Sequence, residues 1–342
     1  MSVQGIDVDK VSAWLVDNID GARAPFSFDL IAGGRSNLTY RVTDADGTRF
    51  VLRRPPLGHV LATAHDMARE FRIIAAVGST KVPVPRALGL CTDENVNGAN
   101  FYVMGFVDGV VLDSADKAAA LPTELRPAAA HHLIDVLAEL HAVDVDAVGL
   151  GDLARRDGYI ERQLKRWSTQ WENSKTRDLP EIDEVVRRLS SHVPRQQGVV
   201  IAHGDYRFGN CLTDVASGRI AAVLDWELCT LGDPLADLGY LGVYWSDGPS
   251  NALRANDPTP AGGFPPYRDL VERYADGTGR DVSAVDYYVA FSCWRLAVIS
   301  EGVYARYLHG AMGKQEGIDL STMKMGTEGL VQRALEAARS LT

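Results

Sequence analysis

The chain has 342 residues, 46% of them hydrophobic, which is enough for one large two-lobed domain or two ordinary domains. It carries 35 Lys and Arg against 45 Asp and Glu, and a net charge of −10 argues against general nucleic-acid binding, which needs a basic surface. The four Cys have no C-x-x-C spacing, the N-terminus has no signal-peptide pattern, and no apolar run reaches the ~18 residues that span a bilayer. We therefore expect a cytoplasmic protein with reduced thiols and no membrane or nucleic-acid partner.

The first predicted element is a helix over 7–19, where Val8, Val11 and Leu15 recur at helical spacing. An antiparallel meander follows over 26–54, with a hairpin signal at Asp46-Gly47. An amphipathic helix over 64–77 and strands near 86–91 and 101–107 complete this part. The pattern predicts a small, antiparallel, β-rich N-terminal lobe over 1–108.

The remainder, 109–342, is predicted as a larger, mainly helical lobe. Short apolar runs over 199–202, 211–213 and 220–224 indicate strands within it. Residues 247–266 are rich in Pro, Gly, Asp and Asn, which indicates a long loop. The fold class is therefore α+β.

Two strings that each follow an apolar, strand-like run carry the chemistry. They are His203-Gly204-Asp205-Tyr206-Arg207-Phe208-Gly209-Asn210 and Leu224-Asp225-Trp226-Glu227. Neighbouring strand ends bring Asp205, Asn210 and Asp225 to one cleft, a set that suits magnesium-dependent phosphoryl transfer. In that interpretation Asp205 is the catalytic residue that orients the acceptor hydroxyl, and Asn210 and Asp225 are the Mg²⁺ ligands.

A glycine pair between two predicted strands suggests a phosphate-binding loop. Glycine lets the backbone approach phosphate oxygens closely, and hydroxyl, amide and backbone N–H groups bind them. The candidate nucleotide-binding residues of this loop are Gly33, Gly34, Arg35, Ser36 and Asn37.

These strings occur in order with FVLRRPP (50–56), FYVMGFVDG (101–109), LAELHAVD (137–144) and YIERQLKRW (159–167). Together they resemble the aminoglycoside-phosphotransferase-like kinases, a group that includes choline, homoserine and fructosamine kinases. The likeness is greatest to the kinase-like domains fused to, or encoded beside, acyl-CoA dehydrogenases. The resemblance implies a two-lobed, protein-kinase-like fold that binds ATP and Mg²⁺.

The resemblance places Arg53 where a strand-borne basic residue grips the nucleotide phosphates, with Glu70 as its helix partner. Most kinases have Lys at that position, but Arg keeps the charge and binds phosphate in bidentate fashion. Arg54 is the competing candidate. Because side chains alternate along a strand, only one of the two arginines faces the nucleotide, and we expect Arg53.

The resemblance also implies that adenine binds near Met104, Phe106 and Val107, although relatives often carry Glu in place of Gly105. In the family the position of Asp237 supports the catalytic loop, and we expect His203 to hold that loop through hydrogen bonds.

A helix over 159–167 offers acceptor-site candidates. Arg162, Arg166 and Trp167, with Arg207 from the catalytic loop, are the residues expected to contact the phosphate acceptor. The alternative for the helix is an ordinary solvated surface with Trp167 packed beneath it.

The sequence thus predicts a phosphotransferase that moves the γ-phosphate of ATP to a hydroxyl of a metabolite such as a hydroxy acid or hydroxyacyl-CoA. Two alternatives stay open. One is an aminoglycoside or amino-alcohol kinase, and the other is a non-catalytic nucleotide-binding partner of an acyl-CoA dehydrogenase. A functional link to such a dehydrogenase is expected from the resemblance.

Overall fold

Residues 3–32, 37–57, 66–247, 256–310 and 319–341 are described by a computed structural model. The chain divides into two units. The first comprises Met1–Gly109, Ala147–Leu150 and Ala221–Glu227, and the second comprises the rest. The first lobe was predicted to end at residue 108, and the first segment of the first unit ends at Gly109. Two later segments, 147–150 and 221–227, also belong to this unit.

A five-stranded antiparallel sheet forms the centre of the first unit. Its strand order is β1-β2-β3-β5-β4. The strands are β1 (Ser27–Ala32), β2 (Leu38–Thr43), β3 (Arg49–Arg54), β4 (Ala87–Cys91) and β5 (Phe101–Gly105), and the helices of this unit are α1 (Val8–Asn18), α2 (Met67–Val77) and the short α3 (Glu94–Asn97).

The two faces of this sheet are covered by different helices. On one face, Leu15 of α1 joins a buried core with Tyr40, Leu52 and Val103, which alternate along their strands. On the other face, Phe71 of α2 packs against Tyr102 with ring centroids 6.2 Å apart. Because Arg53 pairs with Tyr102 in the β3–β5 register, the Arg53 side chain lies on the α2 face.

The second unit is mainly helical. Its helices are α4 (Ala115–Ala118), α5 (Arg126–His141), α6 (Tyr159–Ser174), α7 (Pro180–Ser191), α8 (Leu235–Val243), α9 (Tyr267–Thr278), α10 (Val285–Leu308) and α11 (Leu320–Arg339). The short strands are β6 (Val200–Ala202), β7 (Cys211–Thr213), β8 (Ile220–Val223), which runs into the 221–227 segment, and β9 (Thr230–Gly232). Strands β6 and β9 pair antiparallel.

Helix α10 is the centre of the second unit, where it packs against α6, α7, α8 and α11. Most of its residues between Tyr287 and Val298 are buried. No helix in the described part of the chain is long and apolar enough to cross a membrane.

The sheet of the first unit and the helices of the second confirm the predicted α+β class, and the predicted helices and strands are present within a few residues. Three differences are local. The strand β5 ends at Gly105 rather than residue 107, and neither the helix α3 nor the strand β9 was predicted. The four residues of α3 are held by an Asp93 cap, and the helix ends at Gly98, which adopts φ +69°. Of the predicted loop over 247–266, residues 248–255 lie outside the described residues, and Thr259–Ala261 forms a 3₁₀ turn.

Close packing of α8 on α10 gives a stability prediction. A Cβ added at Gly239 would lie 2.5 Å from backbone and side-chain atoms of Tyr288, so Gly239→Ala is expected to destabilise the protein by roughly 1–3 kcal/mol through overpacking. The control is Gly326→Ala in α11, where a Cβ meets nothing within 4 Å. That change should instead stabilise the helix by up to about 1 kcal/mol. Urea unfolding of both variants measures the difference, and equal effects would contradict the packing described.

Candidate active site

Arg53 is the centre of a charged cluster in the first unit. Its Nε lies 3.2 Å from Glu70 Oε2, without the alignment of a hydrogen bond, and Glu70 is almost fully buried. Glu70 also accepts hydrogen bonds from Tyr102 Oη at 3.1 Å and from Asn37 Nδ2 at 3.0 Å. The predicted ion pair between Arg53 and Glu70 is therefore present, on the helix that the sequence pattern indicated.

Burial and neighbouring charges shift the pKa of each of these two groups in opposite directions. Burial raises the pKa of Glu70, and the nearby Arg53 only partly offsets this. Burial alone would lower the pKa of Arg53, but Tyr102, Glu70 and Asp225 outweigh it and raise that pKa. The guanidinium is thus a permanent positive charge among acidic groups.

Arg54 lies on the opposite face of the strand, as strand alternation predicts. Its Nη1 donates to the carbonyl oxygen of Gly5 and, at 3.3 Å, to that of Asn97. Arg54 therefore ties the N-terminal segment to the end of α3 and has no contact with Glu70 or Asp225.

Asp225 and Glu227 bring two more carboxylates to Arg53. Asp225 Oδ1 lies 2.6 Å from Arg53 Nη2, and Glu227 Oε2 lies 3.9 Å from the same atom. Asp225 adopts φ +64°, a left-handed conformation that is uncommon outside glycine and is found mostly at functional positions. Three carboxylates, the third at a longer distance, thus lie around one guanidinium.

Of the predicted phosphate loop, Gly33, Gly34, Arg35 and Ser36 lie outside the described residues. Asn37 is described, buried, and donates to Glu70. The predicted contact of Asn37 with phosphate stays a prediction.

The predicted adenine-binding strand is β5 and the residues after it. Met104 is buried opposite Val51, and the Gly105 N–H donates to the Arg86 carbonyl at 2.8 Å. The Arg49 guanidinium covers the Phe106 ring at 4.3 Å, and Val107 is half-buried. Adenine binding by Met104, Phe106 and Val107 stays a prediction.

In the second unit, Asp237 fixes the start of the catalytic loop. This carboxylate has no solvent exposure and accepts the backbone N–H groups of His203 and Gly204, each at 2.7 Å. His141 Nε2 lies 3.2 Å from its Oδ2. Burial alone would raise the pKa of Asp237, but its hydrogen bonds, with the contact to His141 the largest effect among them, outweigh burial and lower that pKa. The expected structural role of Asp237 is confirmed.

The peptide between Gly204 and Asp205 is held tightly. Gly204 adopts φ +82°, and a Cβ there would lie 2.7 Å from the Leu228 carbonyl oxygen. His203 Nδ1 accepts the Asp205 N–H at 3.2 Å, so His203 supports the loop as expected.

Asp205 itself keeps 20% of its side chain exposed, and its Oδ1 lies 3.3 Å from Arg207 Nε. Asn210 Nδ2 donates to the Asp205 carbonyl oxygen at 2.8 Å. This bond orients the Asn210 amide and leaves its oxygen Oδ1 as the atom for a cation.

The metal that the sequence predicts is compatible with these donors. Within the described residues there is no group of three or more His, Cys, Asp or Glu side chains suited to a metal. Mg²⁺ does not need one, because it is usually held by one or two carboxylates together with water and substrate phosphates. The amide oxygen of Asn210 and the carboxylate of Asp225 are each donors of the kind that Mg²⁺ takes, and that they hold one ion stays a prediction.

Arg207 contacts the catalytic candidate Asp205 and an aromatic ring. Its guanidinium lies 4.8 Å above the Tyr244 ring, and its Nε faces Asp205. Burial alone would lower the pKa of Arg207, but Asp205 and Tyr244 outweigh that and raise it. Contact of Arg207 with an acceptor stays a prediction.

The three acceptor candidates on α6 have different surroundings. Arg162 donates to the Arg155 carbonyl at 2.7 Å, Arg166 lies 5.1 Å above the Trp167 ring, and Trp167 Nε1 donates to Gln163. Arg162 is thus bound to its own loop, whereas the Trp167 ring is in contact with the guanidinium of Arg166. Contact of these three residues with an acceptor stays a prediction.

Sequence reasoning missed Arg295 of α10. Its Nη2 donates to the Gly204 carbonyl oxygen at 2.9 Å, and its guanidinium lies between the rings of Trp167 and Tyr240. The available signal was a single charged residue within the apolar run Ala290-Phe291-Ser292-Cys293-Trp294-Arg295-Leu296-Ala297-Val298.

Known proteins match this chain over most of its length. The family model described as the phosphotransferase enzyme family (APH) matches residues 27–269. Mouse acyl-CoA dehydrogenase family member 10 is 36% identical over 285 residues, covering 81% of this chain and 26% of that protein. Chicken acyl-CoA dehydrogenase family member 11 is 32% identical over 318 residues, covering 91% and 40%. The chain thus spans less than half the length of these curated relatives.

Solved structures share the fold. The "putative aminoglycoside phosphotransferase" of Ralstonia eutropha has a TM-score of 0.83 at 31% identity, covering 98% of this chain and 99% of that one. A thermostable mutant of aminoglycoside phosphotransferase APH(4)-Ia, in complex with AMP-PNP and hygromycin B, has a TM-score of 0.63 at 16% identity, covering 97% and 99%. These matches confirm the predicted kinase-like fold and the resemblance to kinase-like domains of acyl-CoA dehydrogenase relatives. The chain therefore belongs to the phosphotransferase enzyme family.

Proposed function

We propose that this protein is an ATP- and magnesium-dependent kinase that transfers the γ-phosphate to a hydroxyl group of a small acyl metabolite, a hydroxy acid or its CoA thioester. The observation that carries the proposal is the Asp205 loop. Its backbone is fixed by the buried Asp237, and the Asp205 carboxylate remains partly exposed beside Arg207. A protein that only binds nucleotide has no physical need for this arrangement together with Asn210 and Asp225.

In the proposed reaction Asp205 accepts a hydrogen bond from the acceptor hydroxyl and orients its oxygen toward the γ-phosphorus. A new O–P bond forms as the bond from the γ-phosphorus to the bridging oxygen of ADP breaks, and the hydroxyl proton passes to Asp205. Because such transition states are largely dissociative, orientation contributes more than proton removal.

Arg53 supplies positive charge toward the phosphates, and Glu70 holds its guanidinium in place. Asn210 and Asp225 would hold Mg²⁺, which neutralises charge on the nucleotide phosphates when it is bound. The Asp225 carboxylate beside Arg53 supports this, because a cation between this carboxylate and the phosphates would offset their mutual repulsion.

The charge beside Asp205 supports an acyl acceptor rather than an aminoglycoside. The Arg207 guanidinium contacts Asp205, so a positive charge lies beside the proposed catalytic carboxylate. An aminoglycoside carries several positive charges and is repelled by such a group, whereas a carboxylate or acyl oxygen is attracted. The names of the curated relatives support a functional link to an acyl-CoA dehydrogenase.

The function is tested by ATP consumption with a 4-hydroxy acid, its CoA ester, choline and kanamycin as acceptors. We expect Mg²⁺-dependent transfer, with kcat/KM for an acyl acceptor at least tenfold above that for kanamycin, about 1.4 kcal/mol in transition-state stabilisation. A tenfold preference for kanamycin or choline would make the amino-sugar or amino-alcohol alternative correct. No transfer with any acceptor, together with intact ATP binding, would favour a non-catalytic partner.

Substitutions at Asp205 and at Asp225 are expected to affect different steps, phosphoryl transfer and nucleotide binding. Asp205→Asn should lower kcat by roughly 10²-fold or more and leave the Kd for ATP nearly unchanged, because the residue acts on the acceptor. Asp225→Ala should instead remove the Mg²⁺ dependence of ATP binding, since it deletes a carboxylate ligand. Calorimetric titration with and without Mg²⁺, alongside steady-state kinetics, separates the two. An active Asp205→Asn enzyme would overturn the catalytic assignment.

The adjacent arginines of β3 provide a matched pair. Arg53→Ala should weaken ATP binding by about tenfold or more, roughly 1.4 kcal/mol, because it removes the charge that faces the phosphates. Arg54→Ala removes a guanidinium bound to Gly5 and Asn97, so it should lower thermal stability and leave the Kd for ATP unchanged. A larger loss of ATP affinity at Arg54 would show that the assignment of the phosphate-facing residue is wrong.

A further inference from the structure

Arg295 is a buried cation without an acidic partner. It is the only charged residue between Tyr287 and Val298, and 7% of its surface is exposed. Among the described residues, no carboxylate lies within 4 Å of its guanidinium, and its Nε is buried without a hydrogen-bond partner. A buried charge without an ionic partner is unfavourable for folding, so stability does not explain why an arginine occupies this position.

The contacts of Arg295 lead to the catalytic loop. Its Nη2 donates to the Gly204 carbonyl oxygen at 2.9 Å. The guanidinium carbon lies 5.4 Å from the ring centroid of Trp167 and 5.2 Å from that of Tyr240. Two aromatic faces hold the planar group in one orientation and provide cation–π attraction in place of an ion pair.

Gly204 is thereby held at both of its polar backbone atoms. Asp237 accepts its N–H at 2.7 Å, and Arg295 donates to its carbonyl oxygen. That carbonyl belongs to the peptide whose nitrogen is Asp205. The orientation of this peptide sets the direction in which the Asp205 side chain leaves the backbone.

We propose that Arg295 is a positioning residue for phosphoryl transfer, which fixes the Gly204–Asp205 peptide so that the Asp205 carboxylate faces the acceptor hydroxyl. The inference rests on the proposed function, since it assigns Arg295 to the reaction of Asp205. Arg295 acts through the loop and touches neither nucleotide nor acceptor.

The test compares Arg295→Met with Arg126→Met. Arg126 has the same 7% exposure, lies 5.8 Å from the Phe264 ring, and donates hydrogen bonds to carbonyl oxygens of Ala261 and Gly262 but, among the described residues, to none of the loop residues 203–210. We expect Arg295→Met to lower kcat by about tenfold or more at an unchanged Kd for ATP, and Arg126→Met to lower thermal stability only. Arg295→Lys, which keeps the charge but not the planar donor, should recover part of kcat and carries the test if the Met variant does not fold.

A double-mutant cycle distinguishes positioning from general destabilisation. If Arg295 acts through Asp205, then Arg295→Met should produce no further loss of kcat in the Asp205→Asn background. Equal losses in both backgrounds, a kcat within twofold of the parent enzyme, or the same loss in Arg126→Met would each overturn the proposal.

Hydrogen–deuterium exchange gives a readout that does not need turnover. The Gly204 and Asp205 amides should exchange at least tenfold faster in Arg295→Met than in the parent protein. Their exchange rates should be unchanged in Arg126→Met. If the parent protein transfers no phosphate, the proposed function fails, and this exchange result still decides whether Arg295 fixes the loop. Unchanged exchange in Arg295→Met would refute that.

Discussion

The candidate active site depends on the hydrogen bonds that the buried carboxylate of Asp237 accepts from the loop backbone. A carboxylate without solvent exposure is stable in the ionised form only if donors surround it, and here two backbone N–H groups and His141 do so. The same bonds hold the backbone of His203 and Gly204 in a conformation with positive φ at the glycine. One set of contacts thus stabilises the buried carboxylate and fixes the loop geometry. Removal of the carboxylate would therefore disturb both the stability of the fold and the shape of the loop.

The first unit uses charge differently. Three carboxylates, those of Glu70, Asp225 and Glu227, lie around Arg53. Glu70 is buried and bound by Asn37 and Tyr102, so it is fixed, whereas Asp225 is more exposed. Under the proposed function, the fixed Glu70 would hold the arginine, and the more exposed Asp225 would take new ligands when nucleotide and metal bind.

Much of this arrangement follows from local sequence patterns. Strand alternation separates Arg53 from Arg54, and glycine, Asp and Asn spacing identifies the catalytic loop, because these signals depend on residues close in sequence. Other contacts depend on tertiary packing. Arg295 reaches Gly204 from 91 residues away, Asn37 reaches Glu70 from 33 away, and residues 221–227 join the first unit, and no periodicity encodes such pairs. Within one motif, the contact of Arg207 with Asp205 was not predicted, and the acceptor contact that was expected of Arg207 stays a prediction.

The position of Arg207 bears on how Asp205 works. Arg207 Nε lies 3.3 Å from Asp205 Oδ1, so the guanidinium restricts the orientations open to the carboxylate. A carboxylate held in this way is compatible with the proposed dissociative transfer, in which the hydroxyl must be aligned while the proton leaves late. With Arg207 beside the carboxylate and Asp237 and Arg295 bound to the loop backbone, the contribution of this loop to the proposed reaction should lie mainly in its rigidity.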